Sequence, residues 1–323
     1  MKLPGFSRHP LFYIVAGLWF CGLVLWPRSS NVWVGEDSLS HNSSQEGLYK
    51  SALTNANFGL LGVRFYESVG GHPRWKINSA FAELRRKENY AFLKEVTSDF
   101  LSETTQNTIH TKSDYGRSWT AKNYVELEGN VSIESSNGYL FWMDHLNYDG
   151  KNHEFTSKDT VQMKGPSINQ PIMFLKGTGL TAEINKEHFL LNSNVSSQKR
   201  LPSGQWLKVS SKTGEFFTQQ SRAIFMGGVK SQMPKVNITS DVFEMSSLEG
   251  DENAQAFGNV VLKNKGRVGY AQKAYLEIGG SEIILVGNAR IEADGNIIKG
   301  NRIKLFSDED KIEVENAEGK TNP

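Results

Sequence analysis

Histidines, one cysteine and a few adjacent carboxylates are the residues of this chain whose types suit catalysis or metal binding. The histidines are His9, His41, His72, His110, His145, His153 and His188. None forms an i, i+4 pair around a glutamate, and none is spaced against Cys21 as zinc ligands are. No metal site and no cofactor is therefore expected. The chain also lacks a nucleophile elbow, a phosphate-cradling P-loop and a dinucleotide fingerprint. Asp251-Glu252 and Asp308-Glu309-Asp310 are the nearest thing to the paired carboxylates of a glycosidase. Each lies between strand-like runs, beside Gly250 or Ser307, and adjacent strand residues point to opposite faces. Both read as solvated turns, and no enzyme is expected.

The elements that would position these residues are more informative. Six near-copies of one phrase punctuate the chain: Gly129-Asn130-Val131, Thr160-Val161, Ser193-Asn194-Val195, Gly227-Gly228-Val229, Gly258-Asn259-Val260 and Gly287-Asn288-Ala289. Their last residues are spaced by 30, 34, 34, 31 and 29 positions. Such a period is the mark of stacked, similar rungs. Within each rung apolar and polar residues alternate. Trp119, Ala121, Val125, Leu127, Val131 and Ile133 share one parity, and Lys122, Glu126, Glu128 and Asn130 share the other. Alternation with period two predicts strands with one buried face. Asn137-Gly138, Asp149-Gly150 and Asp294-Gly295 read as tight hairpin turns. The glycine inside each Gly-Asn-Val phrase predicts a bend, a bulge or a close backbone approach, and a bend at the same place in every rung would give each strand pair a V shape. Only Ala80–Lys94 fits helix and strand equally well.

Ahead of this β region runs Leu11–Trp26, uncharged and bounded by Pro10 and Pro27. As a helix it would span roughly 24 Å, enough for a single membrane pass with some help from flanking aromatics. No small-x-small cleavage site follows it, so an uncleaved anchor is expected. Lys2 and Arg8 precede it, which places residues 1–10 in the cytoplasm and everything after 27 outside it. Residues 27–57 read as a tether. Ser196–Gly204 is the most loop-like stretch inside the β region and divides it into 58–200 and 201–323. Net charge is +1 and there is no Lys/Arg-rich patch interleaved with aromatics, so nucleic acid is not an expected partner. The buried-face residues allow two readings. They fill an interior, or an open-ended stack leaves an apolar groove for acyl chains, whose transfer from water is favourable by about 0.8 kcal/mol per methylene.

The first block resembles the LptC family, the membrane-anchored periplasmic component of the lipopolysaccharide exporter. The resemblance is carried by Leu61-Gly62-Val63-Arg64-Phe65-Tyr66-Glu67, Pro73-Arg74-Trp75-Lys76-Ile77-Asn78-Ser79 and Gly116-Arg117-Ser118-Trp119-Thr120-Ala121. Leu146-Asn147-Tyr148 and Gly177-Thr178-Gly179-Leu180 continue it. The second block resembles the related OstA/LptA module, through Ala256-Phe257-Gly258-Asn259-Val260, Leu285–Ile291 and Ile298–Phe306. The resemblance implies an all-β, bent-strand β-jellyroll stack behind one transmembrane helix. It also implies lipopolysaccharide as ligand, and partners in the LptB/LptF/LptG-like exporter subunits and an LptA-like bridge or outer-membrane LptD-like jellyroll. An inner-membrane location with the bulk in the periplasm follows from it. The candidate lipid contacts are Trp75, Ile77, Phe81, Phe92, Val96, Trp119, Val125, Leu127, Val131, Ile133, Leu146 and Tyr148. Phe92 matches a family groove position best. A purely structural envelope tether is the alternative function.

Overall fold

The computed structural model describes residues 59–69, 72–85, 88–102, 107–167, 172–201, 203–248, 251–278, 280–309, 311–315 and 318–320. The predicted membrane anchor at 11–26 and tether at 27–57 lie outside them. Among the described residues, no helix is long and apolar enough to cross a membrane.

What is described is one antiparallel sheet of 19 strands, folded on itself. The strands are β1 (Gly59–Val69), β2 (His72–Arg85), β3 (Tyr90–Leu101), β4 (Thr108–Trp119), β5 (Tyr124–Ser135), β6 (Leu140–Asp149) and β7 (Glu154–Gly165). There follow β8 (Met173–Glu183), β9 (His188–Arg200), β10 (Trp206–Ser211), β11 (Thr213–Phe217), β12 (Arg222–Gln232) and β13 (Asn237–Leu248). The last are β14 (Asp251–Asn264), β15 (Arg267–Glu277), β16 (Glu282–Ala293), β17 (Asn296–Phe306), β18 (Ile312–Glu315) and β19 (Glu318–Lys320). Strands pair with their neighbours in chain order, with two exceptions: β10 and β11 together act as one strand, pairing with both β9 and β12, and β18 and β19 both pair with β17. The loop that divides the chain into two blocks is only the turn between β9 and β10. Hydrogen bonding runs through it without a break.

Most strands bend in the middle, and the bend follows a rule. Counting between inward-facing residues, the phrase-bearing strands take four steps: Leu127 to Val131, Leu191 to Val195, Phe225 to Val229, Ala256 to Val260, Leu285 to Ala289. The strands between them take three, as in Ser113 to Gly116, Met143 to Leu146 and Ser240 to Phe243. The extra residue is a bulge, and the pairing register shifts at each such site from β4–β5 onward. Residues Gly129 and Asn130 both have positive φ, 79° and 49°, as do Gly258 and Asn259, 72° and 46°. Glycine is required there for a second reason: a Cβ at 129 would stand 2.8 Å from Asp114 Oδ2, and at 258 2.3 Å from Asp241 Oδ2. The asparagine then donates from Nδ2 to that same aspartate, Asn130 to Asp114 at 2.7 Å and Asn259 to Asp241 at 2.8 Å. On the facing strands a serine closes the bend by donating to the carbonyl two residues on, Ser113 to Tyr115 and Ser240 to Val242, both at 2.8 Å. At Thr160-Val161 the spacing of the phrase is kept, without positive φ.

The bends give every rung two arms. Arm I holds Tyr90–Lys94, Tyr115–Trp119, Tyr124–Glu128 and His145–Asp149; arm II holds Val96–Phe100, Thr108–Ser113, Val131–Ser135 and Leu140–Met143, and so on along the stack. Their inner faces meet. Phe100 of arm II lies 4.4 Å from Tyr148 and 4.9 Å from Phe155 of arm I, ring centre to ring centre. Buried apolar residues from both arms form one connected core from Trp75 to Leu305.

Three expectations are corrected. The alternation does not run through from Trp119 to Val125, because a 3-10 turn at Thr120–Lys122 intervenes and resets the parity. Of the three predicted tight turns only Asp294-Gly295 is a two-residue hairpin with both φ positive, and Lys265-Gly266 is another that was not foreseen. Glu252 is not in a solvated turn: it lies in β14 and is largely buried against Lys199.

Candidate functional site: an apolar interior with a polar seam

The interior collects nine of the twelve predicted contacts: Trp75, Ile77, Val96, Val125, Leu127, Val131, Ile133, Leu146 and Tyr148 all belong to the core. None of these is more than 5% exposed. Where β3, β6 and β7 meet, the space between the arms is filled by rings. Three predicted residues point elsewhere. Phe92 lies between inward Ala91 and Leu93, on the outer side of arm I, and stacks on exposed Tyr115 at 5.9 Å. Trp119 packs outside against Tyr90 and Tyr124, at 5.3 and 5.7 Å. Phe81 is buried, but it pairs with Lys94 on that same outer side, with Lys94 Nζ 5.7 Å from its ring. The three-residue bends at Ser79–Ala82 and Leu93–Val96 put Phe81 and Phe92 on the outer side, and the 3-10 turn at Thr120–Lys122 does the same for Trp119.

Space opens further along, around the turn between the two blocks. A cavity of about 80 Å³ lies among Ile109, Ile133, Phe141, Phe155, Leu180 and Phe189. A second, of about 160 Å³, is lined by Tyr139, Met163, Met173, Phe189, Phe216 and Met245, with Lys199 and Glu252 at its rim. Burial pushes the Tyr139 phenol up, with Glu187 adding to the shift. Except for Ile133 these residues were not among the predicted contacts. Three methionines, unbranched and adaptable, were the available signal.

The free ends of the arms meet along a seam held by polar clasps rather than by strand pairing. Trp75 Nε1 donates to Asn123 Oδ1 at 3.1 Å, and Asn123 Nδ2 to Glu67 Oε1 at 2.9 Å. Next, Glu187 accepts from Asn107, from Asn137 at 3.4 Å and from Thr218 Oγ1 at 3.1 Å. Lys199 and Glu252 form an ion pair at 2.9 Å, each side chain 15% exposed. At the far end Lys235 Nζ reaches Asp308 Oδ1 at 2.6 Å, while Asn264 and Arg267 donate to the carbonyls of Ser307, Phe306 and Glu309. The larger cavity lies between the Glu187 clasp and the Lys199–Glu252 pair.

Chemistry is thin on this framework. His188 is held between Glu183 at 3.2 Å and Glu215 at 2.8 Å, on the outer side of arm I. Among the described residues, no group of three or more histidine, cysteine or carboxylate side chains could hold a metal ion.

Comparison with known proteins agrees with this geometry. Residues 63–200 match the family described as lipopolysaccharide-assembly, LptC-related. Residues 208–311 match the family of the LptA/LptD N-terminal domain, described as a lipopolysaccharide transport protein. No curated protein matches the chain. Among solved structures, LptH, the LptA-homologous periplasmic component of the lipopolysaccharide transport device of Pseudomonas aeruginosa, is 13% identical, with a TM-score of 0.34 over 36% of this chain and 95% of that one. With both matches in sequence order, the chain carries an LptC-related block at 63–200 and, behind it, a block at 208–311 that matches the LptA/LptD N-terminal module.

Proposed function

We propose that this protein is a non-enzymatic component of lipopolysaccharide transport, holding the acyl chains of its cargo between the two arms. It receives lipopolysaccharide from an inner-membrane ABC exporter and passes it along the jellyroll toward the outer membrane. The observation that carries this reading is the apolar interior, continuous across both family blocks and hollow where they join. Neither cavity reaches the roughly 300 Å³ at which pockets for drug-sized ligands begin. Loading a multi-chain lipid therefore requires the arms to part, and a seam of separate polar clasps allows that more readily than a ladder of backbone bonds. Both matched families are described by lipopolysaccharide assembly or transport, which supports the same reading.

Partner contacts follow from the edges. β1 pairs only with β2, and β18 and β19 only with β17, so each end of the described sheet offers unpaired backbone groups. Exporter subunits LptB, LptF and LptG, or their equivalents, belong at the β1 end, the first strand after the predicted anchor in sequence. An LptA-like bridge or LptD-like jellyroll belongs at the β18–β19 end. The test is photo-crosslinking in membranes during ATP-driven transport. A photoreactive residue at Met163 or Phe189 should capture lipopolysaccharide, and one at Phe92 should not. Absence of adducts at every interior position would leave a structural tether as the function.

A further inference from the structure

The two arms share an interior but differ in the charge of their outer faces. On arm I from β6 to β13, the outward positions carry Asp149, Glu154, Glu183, Glu215 and Glu244, with Arg222 tied to Glu244 at 2.6 Å. On arm II over the same strands, the outward positions between bend and tip carry Lys164, Lys176, Arg200, Lys208 and Lys230. Among the described residues there, no carboxylate occurs; Glu134 of β5 bounds the strip on one side. The cations are interleaved with exposed rings. Trp142 is 38% exposed and lies 5.5 Å from Lys164 Nζ; Phe174 and Trp206, 41% and 37% exposed, lie 5.9 Å apart. Along the sequence the segregation is invisible, because most strands pass through both arms and only the position of the bend separates one arm's outward charges from the other's.

The strip adjoins the larger cavity. Ile172, 42% exposed, and Met173 line that cavity, and Phe174 is the next residue outward; Lys199 lines it and Arg200 follows on the outer face. We infer that this strip is a binding site for the phosphorylated saccharide head of an amphiphile whose acyl chains enter the adjoining cavity. Lysine and arginine meet the phosphates, and the exposed rings stack on sugar faces. An anionic membrane surface is disfavoured because the strip is continuous with an opening to the interior and not with a broad apolar plane. This inference rests on the transport reading above and names where the cargo's head is held.

The test uses the full chain in detergent micelles and four probes: lipopolysaccharide, phosphatase-treated lipopolysaccharide, the fully deacylated phosphorylated saccharide, and anionic phospholipid vesicles. The triple variant Lys164→Gln, Lys176→Gln, Arg200→Gln changes only surface positions, and its unchanged melting curve checks the fold. It should bind lipopolysaccharide about tenfold more weakly than the native chain, with a shallower salt dependence. Phosphatase-treated lipopolysaccharide should bind both proteins alike. The deacylated saccharide should bind weakly and lose that binding in the variant, marking the phosphate rather than the lipid as the recognised part. The pair Glu183→Gln, Glu215→Gln on arm I should leave all affinities unchanged. Equal affinity of the triple variant and native chain for lipopolysaccharide overturns the site alone. So does an equal loss with the phosphatase-treated form, or a loss confined to vesicles, which would make the strip a membrane contact. Failure of the native chain to bind lipopolysaccharide at all would remove the transport reading and this site with it.

Discussion

The interior is full where β3, β6 and β7 meet and hollow around the turn between β9 and β10. In the full region Phe100, Tyr148 and Phe155 span the gap between the arms ring against ring, so the two layers are locked by packing. In the hollow region the arms are fastened at their tips by Glu187 and by the Lys199–Glu252 pair. One region therefore derives its strength from buried area, the other from a few polar contacts that leave space behind them. The contrast assigns stability to the first and leaves room in the second for the proposed cargo.

That contrast can be broken by mutation. Phe100→Ala should have the largest effect on folding, about 3–5 kcal/mol, because it empties the space between the layers; chemical denaturation measures it. Gly258→Ala should cost about 1–3 kcal/mol, since it forces a Cβ onto Asp241 at a positive φ, and the Asp241→Ala background should recover the part due to the clash. Glu187→Ala removes a clasp in the hollow region. It should cost only about 1–2 kcal/mol yet raise the rate of lipid exchange measured by photolabelling at Phe189. If exchange is unchanged, the seam is not the entrance.

The smallest effect concerns His145 at the outer bend of β6. The hydrogen bond to Asp159 at 2.9 Å raises its pKa above the ordinary histidine value; burial opposes this slightly, and the charges of Asp159, Glu128 and Asp144 add to it. A raised folded-state value means the contact stabilises fully below about pH 6.5 and fades as pH climbs through the higher folded value. With the side chain 57% exposed, the effect on stability is small and best read as an NMR titration. Asp159→Asn should bring the midpoint back toward the ordinary value. No change in that midpoint would disprove the assignment.

Much of this architecture was legible in the residues. The spaced Gly-Asn phrase marks the bulged bends, and period-two alternation marks the inward faces. The phrase is absent before residue 129 because β2, β3 and β4 all take three-residue bends and pair without a register shift. Those bends also put Phe81 and Phe92 on the outer side. Glu95 adopts a positive φ of 52° with no glycine to announce it, and the parity of Phe92 changes there. The clasps were unreadable for a different reason: Asn137 meets Glu187, and Lys199 meets Glu252, across about fifty residues with no local signal. The opposed charges of the arms become visible only once the bend in each strand is known.

The seam has a mechanical consequence. A closed barrel is a tunnel, and whatever travels through it must be narrow enough to thread it from end to end. A folded sheet whose lips are joined by side chains, with no backbone ladder between them, is a slot. A passenger with a slender, oily tail and a bulky, wettable head can ride such a slot with the tail inside and the head outside, releasing one fastener ahead and letting another close behind. The head never has to fit the bore, so its size sets no limit on passage.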